Sequence, residues 1–298
     1  MKNGKRIVLE ATEGITFRLQ EEKDEIVIKV IMENIKPSNS PYNYRKPYIP
    51  EGYKHLYGTW TDGFTIQNVD DGSEFVWVPA LWLDADATLD GEHFNEKFGR
   101  KNWYDSNFSE DGYHEDENQE FVESVKKYGG FYFSTCHASK ENEKLVFKKG
   151  NQPWVNINYY DAEALAINYA RGSKDVKSCI TSGAAFDSVL RWIIKSRAKT
   201  LNDVVKDSTS WGNYWNTTNS PHKVMHTGSN EKWSACNIYD IAGNVDEWTS
   251  EQYGSSRRVL RGGDCNINGN SWPAACRFKG LPSDDYNGTS FRAVLYIK

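Results

Sequence analysis

The sequence predicts an α+β domain with much irregular loop, and three observations predict it. Apolar residues make up only 38% of the 298 positions, while aromatics reach 14%, with 11 Trp, 17 Tyr and 13 Phe. A core built this way relies on large rings rather than on long aliphatic runs. The chain also carries 23 glycines, which break it into many short segments. Finally, two segments place apolar residues at helical spacing, while others are β-branched or alternate as strands do.

Taken in order, residues 5–12, 15–20 and 25–34 read as short strands, the last through Ile26, Val27, Ile28, Val30 and Ile31. A polar, proline-bearing stretch follows, with Pro37, Pro41, Pro47 and Pro50. It reads as a linker or extended arm and puts a boundary near residue 45. Residues 1–45 are then a small β unit with little core of its own, and 46–298 the main domain. In the main domain, 58–67 and 74–80 alternate as strands, with turns at Thr61-Asp62-Gly63 and Asp70-Asp71-Gly72. Residues 84–120 are polar and acidic, and 109–120 reads as a solvated loop. Residues 130–134 read as a buried strand. A helix is expected over 161–169, with Ala162, Leu165, Ala166 and Tyr169 on one face, and a second over 184–195, with Phe186, Val189, Leu190 and Ile193 at helical spacing. Residues 207–235 have no periodicity, and a loop of that length is usually functional or packed on itself. Residues 259–261 and 291–297 read as closing strands.

Charge and composition exclude several classes of function. The net charge is −5 and no long basic run exists, so nothing suggests nucleic acid or an anionic membrane surface. No apolar run approaches the roughly 20 residues of a spanning helix, and the first residues lack an apolar block of signal-peptide length. Cys136, Cys179, Cys236, Cys265 and Cys276 are odd in number with no C-x-x-C pair, which argues for reduced thiols rather than a disulfide framework or a zinc site. His222 and His226 are four apart, but Pro221 and Gly228 argue against a helix that would align them. Residues 107–118 lack the position-12 Glu of an EF-hand loop. No Ser/His/Asp arrangement and no phosphate-binding glycine loop stands out.

The densest signal is Asn237-Ile238-Tyr239-Asp240-Ile241-Ala242-Gly243-Asn244-Val245-Asp246-Glu247-Trp248, followed by Arg258-Val259-Leu260-Arg261-Gly262-Gly263 and Ser290-Phe291-Arg292. With Gly130-Phe131-Tyr132-Phe133, Pro153-Trp154-Val155-Asn156 through Ala166, and Ser182 through Trp192, this order resembles the C-type lectin-like domain of the formylglycine-generating enzyme (sulfatase-modifying factor) family over about residues 70–298. The resemblance implies a C-type lectin-like α+β fold with two helices, short twisted sheets and much loop, preceded by the small N-terminal β unit. It implies a structural Ca2+ site at Asp240, Gly243, Val245 and Glu247, two by side chain and two by carbonyl. Asp246 departs from the family pattern, which has Trp there.

The family's oxidase needs a cysteine pair after the Gly-Gly turn. Those two positions hold Ile267 and Trp272 here, and neither side chain does thiolate or copper chemistry. The sulfoxide-synthase relatives use a separate histidine-rich domain, and the first 45 residues contain no His. The chain therefore reads as non-catalytic. It is similar to a subgroup of phage and bacterial variable proteins and prophage tail proteins, through Arg258 to Gly263, Pro273-Ala274-Ala275-Cys276-Arg277 and Phe291 to Ile297. The polar and aromatic stretches between these fixed points suit a contact face. Its candidate residues are Asp264, Cys265, Ile267, Asn268, Ser271, Trp272, Phe278, Lys279, Asp285 and Tyr286. By that resemblance the protein would be a receptor-binding component of a phage or phage-like tail, assembled in the bacterial cytoplasm. Its face would bind a host-surface protein or glycan, its N-terminal segment would dock on other tail or baseplate subunits, and it would form a homo-oligomer, with a trimer favoured. The alternatives are an oxidase with displaced cysteines, Cys265 and Cys276, and a purely structural tail protein.

Overall fold

The structure is a computed structural model that describes residues 46–80, 98–103 and 111–298, together with the backbone of four strands within 15–32 and 88–93. The expected strand at 5–12, most of the linker after residue 34 and much of the acidic stretch 84–120 lie outside the described residues. The chain divides into two compact units, Met1–Pro41 and Tyr42–Lys298. In the first, β1 (Ile15–Glu22) and β2 (Glu25–Met32) form an antiparallel hairpin with Ile15 opposite Met32.

The second unit begins with a meander of β3 (Tyr53–Tyr57), β4 (Thr65–Asn68) and β5 (Glu74–Pro79). Minimal strands β6 (Thr88–Leu89) and β7 (Glu92–His93) pair with each other, and β8 (Tyr113–His114) comes next. Then follow α1 (Gln119–Tyr128), β9 (Gly130–Ser134), the ribbon β10 (Ser139–Glu141) and β11 (Lys144–Val146), α2 (Tyr159–Tyr169), β12 (Val176–Ile180), α3 (Gly183–Lys195) and α4 (Leu201–Val205). The chain ends with β13 (Ser234–Ala235), β14 (Ile238–Tyr239), β15 (Asp246–Tyr253), β16 (Arg257–Arg261), β17 (Arg277–Gly280), β18 (Thr289–Phe291) and β19 (Ala293–Ile297).

Two sheets organise the unit. One is a six-stranded antiparallel sheet in the order β12-β19-β9-β5-β4-β3. Strand alternation sends Val76, Val78, Phe131 and Phe133 to one face, against α3, and Phe75, Trp77 and Tyr132 to the other, in one cluster with Ala162 and Ala166 of α2. The sheet is therefore covered on both faces, which is why β9 and β5 read as nearly continuous apolar runs. The other sheet runs β17-β16-β15-β18, with β8 on β15; only β15 and β18 are parallel. Arg292 alone separates β18 from β19, so one residue carries the chain from the second sheet to the first.

Both expected helices are present, each beginning slightly before its expected start. Asn158 caps α2 by accepting the Asp161 N–H at 3.0 Å, which makes Asp161 an interior first-turn residue rather than the start. Ser182 caps α3 by accepting the Ala185 N–H at 3.0 Å. Two further helices, α1 and α4, correct the two-helix expectation. The C-terminal end of the acidic run starts α1: Asn118 caps it, Phe121, Val122 and Val125 bury one face, and Gly129 ends it at φ 82°. Strand 58–67 is also corrected. Its first part, residues 58–64, is a loop after β3 in which the Thr59 N–H donates to Asp62, and only its end is strand, as β4. None of the described helices is long and apolar enough to cross a membrane.

Candidate contact face and the buried charges beneath it

The last sixty residues are held by three buried arginines. Arg261 lies at the end of β16, Arg277 at the start of β17 and Arg292 at the β18–β19 junction, and all three are at most 4% exposed. Asp187 of α3 takes Arg261 Nη2 on Oδ1 and Arg277 Nη2 on Oδ2, each at 2.7 Å. The Trp103 indole N–H and the Lys101 N–H donate to the same carboxylate at 2.8 and 2.7 Å. Glu251 of β15 takes Arg277 Nε at 2.8 Å and Arg100 Nε at 2.6 Å. Burial alone would raise the Asp187 carboxyl, but the Arg261 and Arg277 guanidiniums more than offset it and hold it at about 2. Arg261 also donates to the Cys276 carbonyl at 3.1 Å, which fixes the end of the loop that β16 starts.

Arg292 does the same for the motif around Asp240. It gives Nε to Glu247 Oε1 at 2.8 Å, Nη1 to the Ser134 carbonyl at 3.0 Å, and Nη2 to the Tyr239 carbonyl. His137 Nε2 lies 3.0 Å from the same Glu247 oxygen, in a site with no solvent exposure. Burial, then the neighbouring Arg292 charge, pushes the His137 imidazole down to about 4, so the ring is neutral. Glu247 lies below its ordinary range because Arg292 and His137 outweigh its burial.

These contacts test the calcium expectation. Ca2+ takes six to eight oxygens. Glu247 already has Arg292 as its positive partner, and the Gly243 carbonyl accepts the Val245 N–H at 3.0 Å. Asp240 Oδ2 accepts the Gly228 N–H at 2.8 Å. Within the four expected ligands, Asp240 Oδ1 and Glu247 Oε2 are the buried side-chain oxygens left without a hydrogen bond. Among the described residues no group of three or more His, Cys, Asp and Glu side chains is arranged to hold a metal ion. At Glu247, arginine thus already supplies positive charge of the kind an ion would bring. Gly243 has a different task. At φ 72° it crosses Asn213, whose carbonyl oxygen would lie 2.5 Å from any Cβ placed there. That crossing ties the aperiodic segment 207–235 to the motif, reinforced by Asn213 Nδ2 donating to Asn244 Oδ1 at 3.0 Å.

Above this frame the loop after Gly263 opens two neighbouring cavities. One, of about 400 Å3, is lined by Trp215, Asn266, Ile267, Asn268, Ser271 and Trp272. The other, of about 270 Å3, includes Asp246, Leu260, Asp264, Ile267, Trp272 and Phe278 in its wall. Ile267 and Trp272 belong to both, so the two residues at the family enzyme's cysteine positions form the ridge between them. Trp272 and Phe278 meet edge to face at 5.4 Å. Trp215 is 53% exposed and packs at a tilt against His222, with ring centres 4.1 Å apart. Burial, then the Asp264 charge, pushes the Asp246 carboxyl well above the usual carboxylate range.

The structure thus brings together Asp264, Ile267, Asn268, Ser271, Trp272 and Phe278 of the expected face. It leaves out the other four, each for a stated reason. Cys265 is 1% exposed, and burial pushes its thiol up to about 11. Lys279 turns its ammonium over the Tyr253 ring, 3.6 Å from the centre. The Tyr286 ring packs on Trp248, and its hydroxyl accepts the Leu281 N–H at 3.2 Å. Asp285 is exposed but lines neither cavity. Among the lining residues outside the ten candidates are Trp215 and Asp246. The departure from the family's Trp at 246 was the available signal for the second.

Comparison with known proteins now places this architecture. Residues 104–296 match the family model described as the sulfatase-modifying factor enzyme 1-like domain. The chain belongs to that family. Its fold is the α+β, C-type lectin-like fold of the formylglycine-generating enzymes. No curated protein sequence matches it. Among solved structures it is similar to PvdO from Pseudomonas aeruginosa, at 14% identity over 56% of this chain and 81% of that one, with a TM-score of 0.42. It is similar to Treponema denticola variable protein 1 at 15% identity, over 56% of this chain and 84% of that one, with a TM-score of 0.41. CarF matches at 15% identity over 57% and 87%, also with a TM-score of 0.41. Likeness at this level says nothing of what this member of the family binds.

Proposed function

We propose that this family member is a non-catalytic ligand-binding protein that attaches a phage or phage-like tail particle to a host surface. The observation that carries the reading is the composition of the two cavities. Where the family's oxidase has two thiols, Ile267 and Trp272 form an aromatic and aliphatic ridge, flanked by the exposed rings of Trp215 and Phe278 and by Asn266, Asn268 and Ser271. Rigid aromatic anchors beside adaptable amides are the make-up of a contact surface. The nearest candidate nucleophile, Cys265, is buried and stays protonated at neutral pH, which disfavours an oxidase with displaced cysteines. The tail assignment rests on the resemblance of residues 258–297 to the variable-protein subgroup. In this reading the N-terminal unit docks on other tail subunits, and a homotrimer lets weak sites act together.

The test is binding of the full chain to intact bacterial cells and isolated envelopes, wild type against a Trp215→Ala, Trp272→Ala, Phe278→Ala variant. The reading expects saturable binding that falls at least tenfold in the variant with its thermal midpoint retained. Equal binding would leave the purely structural tail protein as the better reading. A cysteine-containing sulfatase peptide supplied with Cu(I) should emerge unchanged; turnover that disappears in a Cys265→Ala, Cys276→Ala variant would establish the oxidase instead.

A further inference from the structure

We infer that the ligand of this face is a saccharide carrying a protonated amine, with a sugar ring against Trp215 and Trp272 and the ammonium group in the cavity between Asp246, Asp264, Trp272 and Phe278. The inference rests on the proposed contact role and names its chemistry. The two cavities divide that chemistry between them. The larger one presents two indoles, two asparagines and a serine. An indole offers a flat apolar surface to the C–H face of a sugar ring, while amides and a hydroxyl donate to and accept from its hydroxyl groups. Nothing charged lines it.

The smaller cavity holds about 270 Å3, enough for a substituent rather than for a whole ligand. Its walls include Leu260, Ile267, Trp272 and Phe278, and its only carboxyl groups are those of Asp246 and Asp264. Asp264 is met by the Asn266 N–H at 2.7 Å and the Asn266 amide at 3.4 Å, both neutral donors. Among the described residues no lysine, arginine or histidine pairs with either carboxylate. Arg261, three residues before Asp264, is committed to Asp187, and Lys279, next to Phe278, is turned over Tyr253. Two ionised carboxyls facing one apolar-walled space would repel each other, so burial and that repulsion favour a proton on Asp246, and a cation placed between them takes that proton's place. Trp272 and Phe278, at right angles to each other, supply the ring surfaces that attract an organic cation. A primary ammonium suits both demands, because its three N–H groups can serve the two carboxylates while its carbon neighbour packs on the rings. Because Ile267 and Trp272 line both cavities, a ring in one and its amino substituent in the other would share a wall.

The experiment compares glucosamine oligosaccharides with their N-acetylated counterparts, which keep the ring and lose the charge, by calorimetry and ligand-detected NMR on the full chain. The expected result is at least tenfold tighter binding of the amine form. Asp246→Asn and Asp264→Asn should abolish the preference, and Trp215→Ala should weaken both forms. Equal affinity for the two sugars, no binding of either, or a preference that survives both aspartate substitutions would overturn the inference, the last because attraction to the overall negative charge would explain it. The outcome separates from the attachment reading. If envelope binding still depends on Trp215, Trp272 and Phe278 while the amine preference is missing, only the ligand class fails. If the amine sugar binds and envelope binding ignores those three residues, the attachment reading fails.

Discussion

Arg261 donates a 2.7 Å hydrogen bond to Asp187, and both side chains are fully buried. The pair links helix α3 to the strand that launches the candidate face, and Arg277 closes the other end of the loop on the same carboxylate. The geometry of the face therefore depends on a charge buried below it.

Removing that charge leaves two buried guanidiniums with one carboxylate fewer. Asp187→Ala should cost about 3–5 kcal/mol of unfolding free energy. Lys126→Ala is the contrast. It breaks a pair with Glu123 that is 59% and 67% exposed, and should change stability by under about 0.5 kcal/mol. Urea titrations of both variants check this; similar losses would mean that the Asp187 cluster is no more than a surface ion pair in energy.

Asp240 gives a pH dependence of definite sign. Burial raises its carboxyl to about 6, and the Gly228 N–H and Arg292 pull it back only in part. An unfolded aspartate titrates near 3.9, so between the two values the folded state holds the proton and the unfolded state releases it. The contribution is fully present below about pH 4 and is lost as pH rises through 6, to the extent of about 3 kcal/mol. Asp240→Asn removes that loss and keeps an acceptor for Gly228. The melting midpoint of the variant minus that of the wild type should climb between pH 4 and 7. His137 shifts stability the opposite way over part of this window, but it is common to both proteins and cancels in the difference. A difference that stays level contradicts the assignment.

Calcium should leave the protein unchanged. An ion that binds only the folded state raises the melting midpoint with concentration. With Arg292 already neutralising Glu247, melts in millimolar Ca2+ and in EDTA should coincide within experimental error. A rise of several degrees with Ca2+ would restore the site that the family resemblance implied at Asp240, Gly243, Val245 and Glu247.

Much of the frame was legible in the residues. The Gly243 turn, Trp248 and the three arginines could be read in order because each answers a fixed backbone need: a positive φ, a buried ring, a carbonyl to be satisfied. The closing strands and both long helices followed from period alone. Helix α1 was hidden because its cap and first turn, Asn118 to Glu120, continue a run of charges, and only Phe121, Val122 and Val125 betray it. The face was half legible. Residues 264–272 do converge, but 278–287 has no period that tells which way a side chain points, so Lys279 and Tyr286 look like contact residues and turn elsewhere. Trp215 was lost inside an aperiodic segment whose position depends on Asn213 meeting Gly243, thirty residues on.

The most direct test of the contact face is oxidative footprinting of the full chain with and without bound cell-envelope material. Tyr48 and Tyr160, at 46% and 56% exposure, are comparably accessible aromatics that line neither cavity and serve as internal references for Trp215 and Phe278, at 53% and 47%. The account predicts that envelope material protects Trp215, Trp272 and Phe278 and leaves Tyr48 and Tyr160 labelled as before. Protection of the two tyrosines with unchanged labelling of Trp215, Trp272 and Phe278 would contradict it.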